Sequence, residues 1–185
     1  MRGISNSWMA LGTAIFLGVS ACSAAGQSGS AQREESVAWE FDCTSTDGWI
    51  DNEMDPEIGT TLQLESGTKG VMIVKQDGKD TWGKAAVLVE GINLNETPIL
   101  EAMVTKVDKG SGFKVGIAPT DWSTIIEVIK RSSADGKHTG DIEKAVKRAG
   151  RKDLLEGEVS FFLVIVIEGK GKASYFEHLK ISRDK

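Results

Sequence analysis

The segment VSFFLVIVI, residues 159–167, restricts the fold of this chain more than any other feature. It is too short to cross a bilayer as a helix, which takes about 20 residues. The β-branched and aromatic side chains that dominate it favour an extended strand. A strand with apolar side chains on both faces has to be covered on both faces. The sequence therefore predicts a central strand within a layered β structure.

Short apolar runs elsewhere in the chain are separated by turns rich in glycine and aspartate. Alternation of apolar and polar residues is typical of a strand with one buried face, and FKVGI, residues 113–117, shows it most clearly. Further strands are predicted at residues 37–41, 61–65, 71–74, 84–90, 125–129 and 174–181. About nine strands without β-α-β alternation indicate an all-β antiparallel sandwich.

One segment, GDIEKAVKRAG at residues 140–150, has a helical period instead. Its apolar residues recur at helical spacing, Asp141 is suited to cap the first turn, and Gly150 is suited to end the last. We expect a short amphipathic helix across an edge or mouth of the β core.

The N-terminus has the organisation of a secretory signal, with Arg2 and the free amine followed by an apolar stretch at residues 8–19. This stretch is too short to span a bilayer as a helix. The sequence VSAC that follows, residues 19–22, resembles a bacterial lipobox, in which the cysteine is acylated and becomes the first mature residue. We expect Cys22 to be a lipid anchor. The alternative is an ordinary cleavage site nearby.

The proposed anchor determines how the rest of the chain is organised. Cys43 is the other cysteine of the chain, so it would have no disulfide partner and is expected to be a small buried side chain at a strand end. Ser23 favours the outer membrane, because in proteins resembling Gram-negative lipoproteins an aspartate at this place retains the product at the inner membrane. We predict a signal peptide at residues 1–21, the lipidated cysteine and a flexible tether at 22–36, and one domain at 37–182.

Three segments carry a resemblance to a known family. They are WEFDCTSTDGW at residues 39–49, TWGKAAVLVEGINLNETPILEAMV at 81–104, and YFEHLKI at 175–181. Together they resemble galactose-binding-like jelly-roll domains, which are common among bacterial carbohydrate-binding modules. The resemblance implies a jelly-roll sandwich that binds glycans without catalysis.

Sugar recognition by such domains uses flat aromatic side chains against a pyranose ring and polar groups around its hydroxyls. Trp122 and Asp121 lie in a predicted turn between two strands, and binding residues of a rigid sandwich concentrate in such turns. Trp82 begins a predicted strand. We expect Trp122 and Trp82 to stack on sugar and Asp121 to accept its hydroxyls; the alternative for Trp122 is a plug over the core. Trp39 is expected in the core, and Trp49 over one end of the sandwich.

Related jelly-roll domains often hold a structural calcium ion between the first and last strands, with oxygen ligands from both. Glu40 and Glu177 occupy the matching positions, and Asp42 is a candidate third ligand. The resemblance therefore implies calcium at Glu40 and Glu177. The alternative is a pair of solvated acids, and no cofactor is expected to be required.

Charge and motifs exclude several classes of function. A net charge of −5 argues against a nucleic-acid partner. The chain has no serine elbow, phosphate-binding glycine loop or cysteine–histidine pair. His138 is expected in a polar loop and His178 in a strand, too far apart in sequence to indicate zinc. The basic segment at residues 130–152 predicts a solvated surface, with contact to anionic glycan or lipid headgroups as the alternative.

The function expected from the sequence is carbohydrate binding by a non-catalytic lipoprotein of the cell envelope. Membrane contact through the lipid and a glycan ligand are expected, and a protein partner is unknown from the sequence. One alternative is an envelope lipoprotein whose sandwich is a structural or protein-interaction scaffold. The other is a small polysaccharide-active enzyme that uses paired carboxylates.

Overall fold

Residues 36–183 are the part of the chain that the structure, a computed structural model, describes. Within this range there are eleven strands, one α-helix and one 3-10 helix. The strands are β1 (Val37–Phe41), β2 (Trp49–Ile50), β3 (Thr60–Leu64), β4 (Met72–Gln76), β5 (Trp82–Asn93), β6 (Ile99–Val107), β7 (Gly112–Pro119), β8 (Ile126–Ser132), β9 (Gly136–Asp141), β10 (Glu158–Glu168) and β11 (Ala173–Ser182). The predicted signal peptide and Cys22 lie outside the described residues.

The strands form two antiparallel sheets. The first has the order β3-β4-β11-β6-β9, with β1 also paired to β11. Strand β11 has two partners along the same edge. Its residues 173–176 pair with β4, and its residues 179–182 pair with β1. The second sheet has the order β2-β5-β10-β7-β8.

Strand β10, which contains the apolar segment VSFFLVIVI, is the middle strand of the second sheet, as predicted. Its inward residues Phe161, Leu163, Ile165 and Ile167 are buried in the core between the sheets. Across the core, the ring of Phe113 from β7 meets that of Phe176 from β11 edge to face, with centroids 5.5 Å apart. The antiparallel β-sandwich of jelly-roll type is therefore confirmed.

The predicted helix is confirmed as α1, Ile142–Arg148. Asp141 caps it by accepting a hydrogen bond from Lys144 N at 2.7 Å. Gly150 follows with a φ of +74°, a conformation that suits glycine at a helix C-terminus. The 3-10 helix, Lys152–Leu155, comes next. No helix within residues 36–183 is long and apolar enough to cross a membrane.

Besides β6, two observed strands are missing from the positions predicted by the sequence alternation. Strand β9 was expected to be loop, so the prediction that His138 lies in a polar loop is wrong: His138 pairs with Ala102 of β6. The segment has almost no apolar residues because β9 lies at the edge of the first sheet. It is extended because its backbone pairs with β6. The other is β2, which at two residues is too short to show a period.

Candidate functional site

The outer face of the second sheet, on the side away from the core, combines large apolar side chains with charges. Side chains alternate along a strand, so the residues between the core positions point outward. They are Trp82, Lys84, Ala86 and Leu88 on β5, Phe162, Val164, Val166 and Glu168 on β10, and Gly112, Lys114, Gly116 and Ala118 on β7. This outer face is the candidate site.

A groove of about 600 Å³ lies on this face and is called the sheet groove below. Its lining includes an indole, apolar side chains and charged side chains from four strands and the turns beside them. The lining residues are Thr81, Trp82, Gly110, Lys114, Val115, Gly116, Ile125, Glu127, Arg131, Val166, Glu168 and Gly169. A concave surface that combines apolar side chains with placed polar groups is typical of a small-ligand site.

Two cations and two carboxylates form one ion-pair network in the sheet groove. Lys114 Nζ lies 3.1 Å from Glu168 Oε1 and 3.7 Å from Glu127 Oε2. Arg131 Nε donates to Glu168 Oε2 at 2.5 Å. The Arg131 hydrogen bond, with that of Lys114, holds the pKa of Glu168 below its usual value. Glu168 is therefore an ionised acceptor, and the network carries no net charge.

Trp82 lies at the end of the sheet groove. It is the first residue of β5, and its side chain is 47% exposed. The backbone around it is tightly held: a Cβ at Gly83 would be 2.5 Å from Gly59 O, and the buried amide of Gln76 donates to Asp80 O at 2.8 Å. The indole is thus open to a ligand on a fixed backbone.

Trp122 lies on the same sheet face but is partly covered. It occupies the β7–β8 turn with a φ of 55°, and its ring stacks on Phe162 with centroids 4.6 Å apart. Lys84 Nζ lies 4.7 Å from the centroid of the indole. Beneath it is a small apolar cluster of Ala86, Ala118 and Val164. Trp122 therefore covers the outer side of β10, and its stacking on sugar stays a prediction.

Asp121 lies in the same turn, outside the residues that line the sheet groove. Its Oδ1 accepts a hydrogen bond from Ser123 N at 2.9 Å. Bonding to Ser123, with a smaller contribution from the nearby Arg151 charge, lowers the pKa of Asp121. Its role as an acceptor of sugar hydroxyls stays a prediction.

Glu40 and Glu177, the expected calcium ligands, lie on the paired strands β1 and β11. Glu40 Oε1 lies 2.8 Å from His178 Nε2, close enough for an ion pair but not aligned as a hydrogen bond. Asp42 Oδ1 accepts from Thr44 N and Thr44 Oγ1. Within residues 36–183, no group of three or more acidic, histidine or cysteine side chains is arranged to hold a metal ion. The calcium site stays a prediction.

Other residues considered from the sequence belong to the core. Trp49 is 3% exposed, and its ring meets that of Phe41 at 5.5 Å. Trp39 packs against the core and stacks on Phe41. Cys43 is fully buried, and burial raises the pKa of its thiol to about 12. Cys43 is thus a buried side chain just after β1, as expected.

The basic segment at residues 130–152 is spread over several environments. Lys137 pairs with Glu101 at 2.6 Å, and Lys147 pairs with Glu143 within α1. Arg131 instead belongs to the sheet groove. The segment is therefore not one cationic surface, because several of its charges are neutralised locally.

None of the four residues of the ion-pair network was predicted from the sequence as a site residue: Lys114, Glu127, Arg131 and Glu168. They come from β7, β8 and β10 and meet only through the register of these strands. A usable signal was present: Lys114 in FKVGI and Glu127 in IIEVI are charged positions in otherwise apolar strands.

Comparisons with known proteins find only distant structural similarity. No protein-family model matches the chain, and no curated protein is significantly similar to it. One similar solved structure is a carbohydrate-binding module described for specific mannan recognition, with 15% identity, coverage of 82% of this chain and 99% of that one, and a TM-score of 0.44. Another is the family 30 carbohydrate-binding module of a cellulosomal cellulase of Clostridium thermocellum, with 12% identity, coverage of 82% and 94%, and a TM-score of 0.42.

A third is described for the promiscuous specificity of carbohydrate-binding modules of the β-sandwich superfamily, with 12% identity and a TM-score of 0.45. The similarity covers 78% of this chain and 61% of that one. All three are named as carbohydrate-binding modules, the class that the sequence motifs resemble. At such identities and TM-scores, neither a ligand nor family membership follows for this chain.

Proposed function

We propose that this protein binds carbohydrate without turning it over, and that the ligand occupies the sheet groove. The observation that carries the proposal is the exposed indole of Trp82 at the end of a groove rimmed by ionised side chains. A pyranose ring presents an apolar C–H face and a ring of hydroxyls. The indole matches the apolar face, and carboxylates held by cations accept hydrogen bonds from the hydroxyls.

The electrostatics of the sheet groove favour binding over hydrolysis. A general acid in a glycosidase needs a raised carboxyl pKa, whereas the pKa of Glu168 is lowered by Arg131 and Lys114. Because the network carries no net charge, it does not favour an anionic sugar over a neutral one. We therefore propose a neutral glycan as the ligand.

Trp122 and Asp121 are proposed to border the far end of the same face. Trp122 stands over Phe162, with its ring parallel to the phenyl ring within 22°. A substituent of the glycan that points along β5, from Trp82 towards Lys84, would approach the Trp122 edge, with Asp121 beside it in the turn. In this arrangement Trp122 contributes an apolar wall as well as cover for the sheet.

Attachment to the cell envelope is proposed from the sequence. Cys22 in the VSAC motif would carry the lipid, and the tether at residues 22–36 would join it to the sandwich. Ser23 favours the outer membrane. The protein would then bind a glycan close to the membrane in which its own lipid is anchored.

A specific observation favours one alternative, a protein-docking scaffold. Leu88 and Ile125, on or beside the same face, are 41% and 38% exposed. Exposed apolar side chains can also mark a protein interface. Glycan binding and protein docking on this face are separated by the experiment below.

The test is binding of the full chain, in detergent solution, to an array of soluble oligosaccharides, followed by calorimetry. Trp82→Ala should weaken binding roughly tenfold, because an aromatic stacking contact contributes about 1.5 kcal/mol beyond buried area. Leu64→Ala is the matched control, since Leu64 is an exposed apolar residue on the other sheet. A wild-type chain that binds no glycan, or a Trp82→Ala variant that binds as tightly as the control, would refute the proposal.

A further inference from the structure

A second cavity lies on the other side of Trp82. Its volume is about 630 Å³, and it is called the rim cavity below. It is formed by the β2–β3 turn, with Asn52, Glu57 and Gly59, and by the β4–β5 turn, with Gly78 and Asp80; Trp82 lines it as well. Trp82 thus lies between the sheet groove and the rim cavity and borders both.

The walls of the rim cavity are fixed by direct backbone contact between its two turns. Asp77 N and Gly78 N both donate to Gly59 O at 3.0 Å. A Cβ at Gly78 would lie 2.9 Å from Gly59 Cα, closer than side chains pack. The cavity is therefore preformed, which lowers the entropic cost of binding.

The polar groups of the rim cavity suit a sugar ring. Among the described residues, the Asn52 amide and the Asp80 carboxylate make no side-chain hydrogen bond, so both are available to a ligand. The indole of Trp82 supplies a flat apolar surface beside them. An amide, a carboxylate and an indole around one cavity are complementary to the hydroxyls and the C–H face of a pyranose.

We propose that the rim cavity is a second saccharide site, so that an oligosaccharide bound in the sheet groove continues past Trp82 into it. This inference rests on the proposed function. The ligand is then a chain of several sugar rings that runs across the strands, and Trp82 contacts it at the junction between the two sites.

The strand register of the second sheet indicates the direction in which the bound sugar chain would run. Glu168 of β10 lies opposite Trp82 on one side and Gly112 on the other, and Arg131 of β8 reaches Glu168. From β8 to β5 there are three strand spacings of ~4.8 Å, or about 14 Å. A disaccharide can therefore be held within the sheet groove, whereas a hexasaccharide along this direction extends into the rim cavity.

The test compares disaccharides and hexasaccharides of the cello- and manno-series by calorimetry on the full chain. Wild type should bind the hexasaccharide at least tenfold more tightly than the disaccharide of the same series. In the double variant Asn52→Ala/Asp80→Ala, the hexasaccharide should lose most of this advantage while the disaccharide affinity is unchanged. Asp135→Ala, which removes an exposed acid from the β8–β9 turn, is the control and should behave as wild type.

The outcomes separate this inference from the proposed function. If wild type binds both sugars equally, or if the double variant keeps the advantage of the hexasaccharide, the rim cavity is not a saccharide site, although the sheet groove still is. If neither sugar binds wild type, the proposed function fails and this inference fails with it. Thermal melts of every variant verify that the fold is retained.

Discussion

Replacing Gln76 by leucine should weaken both the fold and the proposed sugar site. Gln76 is a fully buried polar residue at the end of β4. Its Nε2 donates to Asp80 O at 2.8 Å and to Gly78 O at 3.2 Å, and its Oε1 accepts from Gly171 N at 3.1 Å. One amide therefore ties the β4–β5 turn, which leads into Trp82, to the β10–β11 turn.

The loss of stability can be worked out from the hydrogen-bond partners of the Gln76 amide that leucine would leave unpaired. Gly171 N keeps an acceptor, because it also donates to the backbone oxygen of Gln76 at 3.0 Å. The carbonyl oxygens of Asp80 and Gly78 lose a donor. At about 1 kcal/mol per hydrogen bond, the free energy of unfolding should fall by about 2 kcal/mol. For a domain of this length that corresponds to a fall in Tm of about 6 °C.

Urea denaturation and thermal melting of the full chain measure this change. Gln63→Leu is the matched control, since Gln63 is an exposed glutamine on β3, and it should change the unfolding free energy by less than about 0.5 kcal/mol. A Gln76→Leu variant as stable as this control would refute the reasoning. If stability falls but the affinity for a hexasaccharide does not, Gln76 stabilises the turns without positioning Trp82.

Two further predictions concern titratable side chains. The pKa of Glu168 is lowered in the folded state, so the stability difference between wild type and Glu168→Gln should be full above the ordinary carboxyl pKa of about 4.3. This stability difference, measured by urea denaturation, should disappear as pH falls through the lowered pKa of Glu168 in the folded state. A stability difference that persists at about pH 2 would contradict the prediction. For the thiols, a maleimide at about pH 8 should label neither Cys43, whose thiol is buried with a pKa of about 12, nor Cys22, which we propose is acylated. Mass spectrometry maps the label, and modification of Cys43 in the folded chain would show that its burial is not maintained.

Much of the fold could be predicted because burial imposes a short period on the sequence. FKVGI alternates because one face of β7 is in the core, and the segment around β10 is apolar throughout because Trp122 and its apolar neighbours cover its outer side. The helix was predictable from Asp141 and Gly150 at its ends. Strand β9 was not, because its place depends on pairing with β6 and not on its own side chains.

The candidate site could be predicted only in part. Trp82 was identifiable as an aromatic residue at a strand start, and the structure leaves it exposed. Trp122 was identifiable as a turn residue, but its stacking on Phe162 depends on a positive φ that a tryptophan seldom adopts. Lys114 and Glu127 could be noticed as charges within apolar strands, but the ion-pair network itself could not be predicted, because it joins residues far apart in sequence through the register of three strands.

Small residues on β7 explain how that network can span three strands. Arg131 on β8 and Glu168 on β10 are separated by β7, yet Arg131 Nε reaches Glu168 Oε2 at 2.5 Å. It can do so because β7 has Gly112 at the crossing point, where a Cβ would lie 2.9 Å from Arg131 Nη2. This ion pair lies beside Trp82, which is opposite Glu168 in the sheet, where a hydroxyl of the proposed sugar ligand can reach both charges.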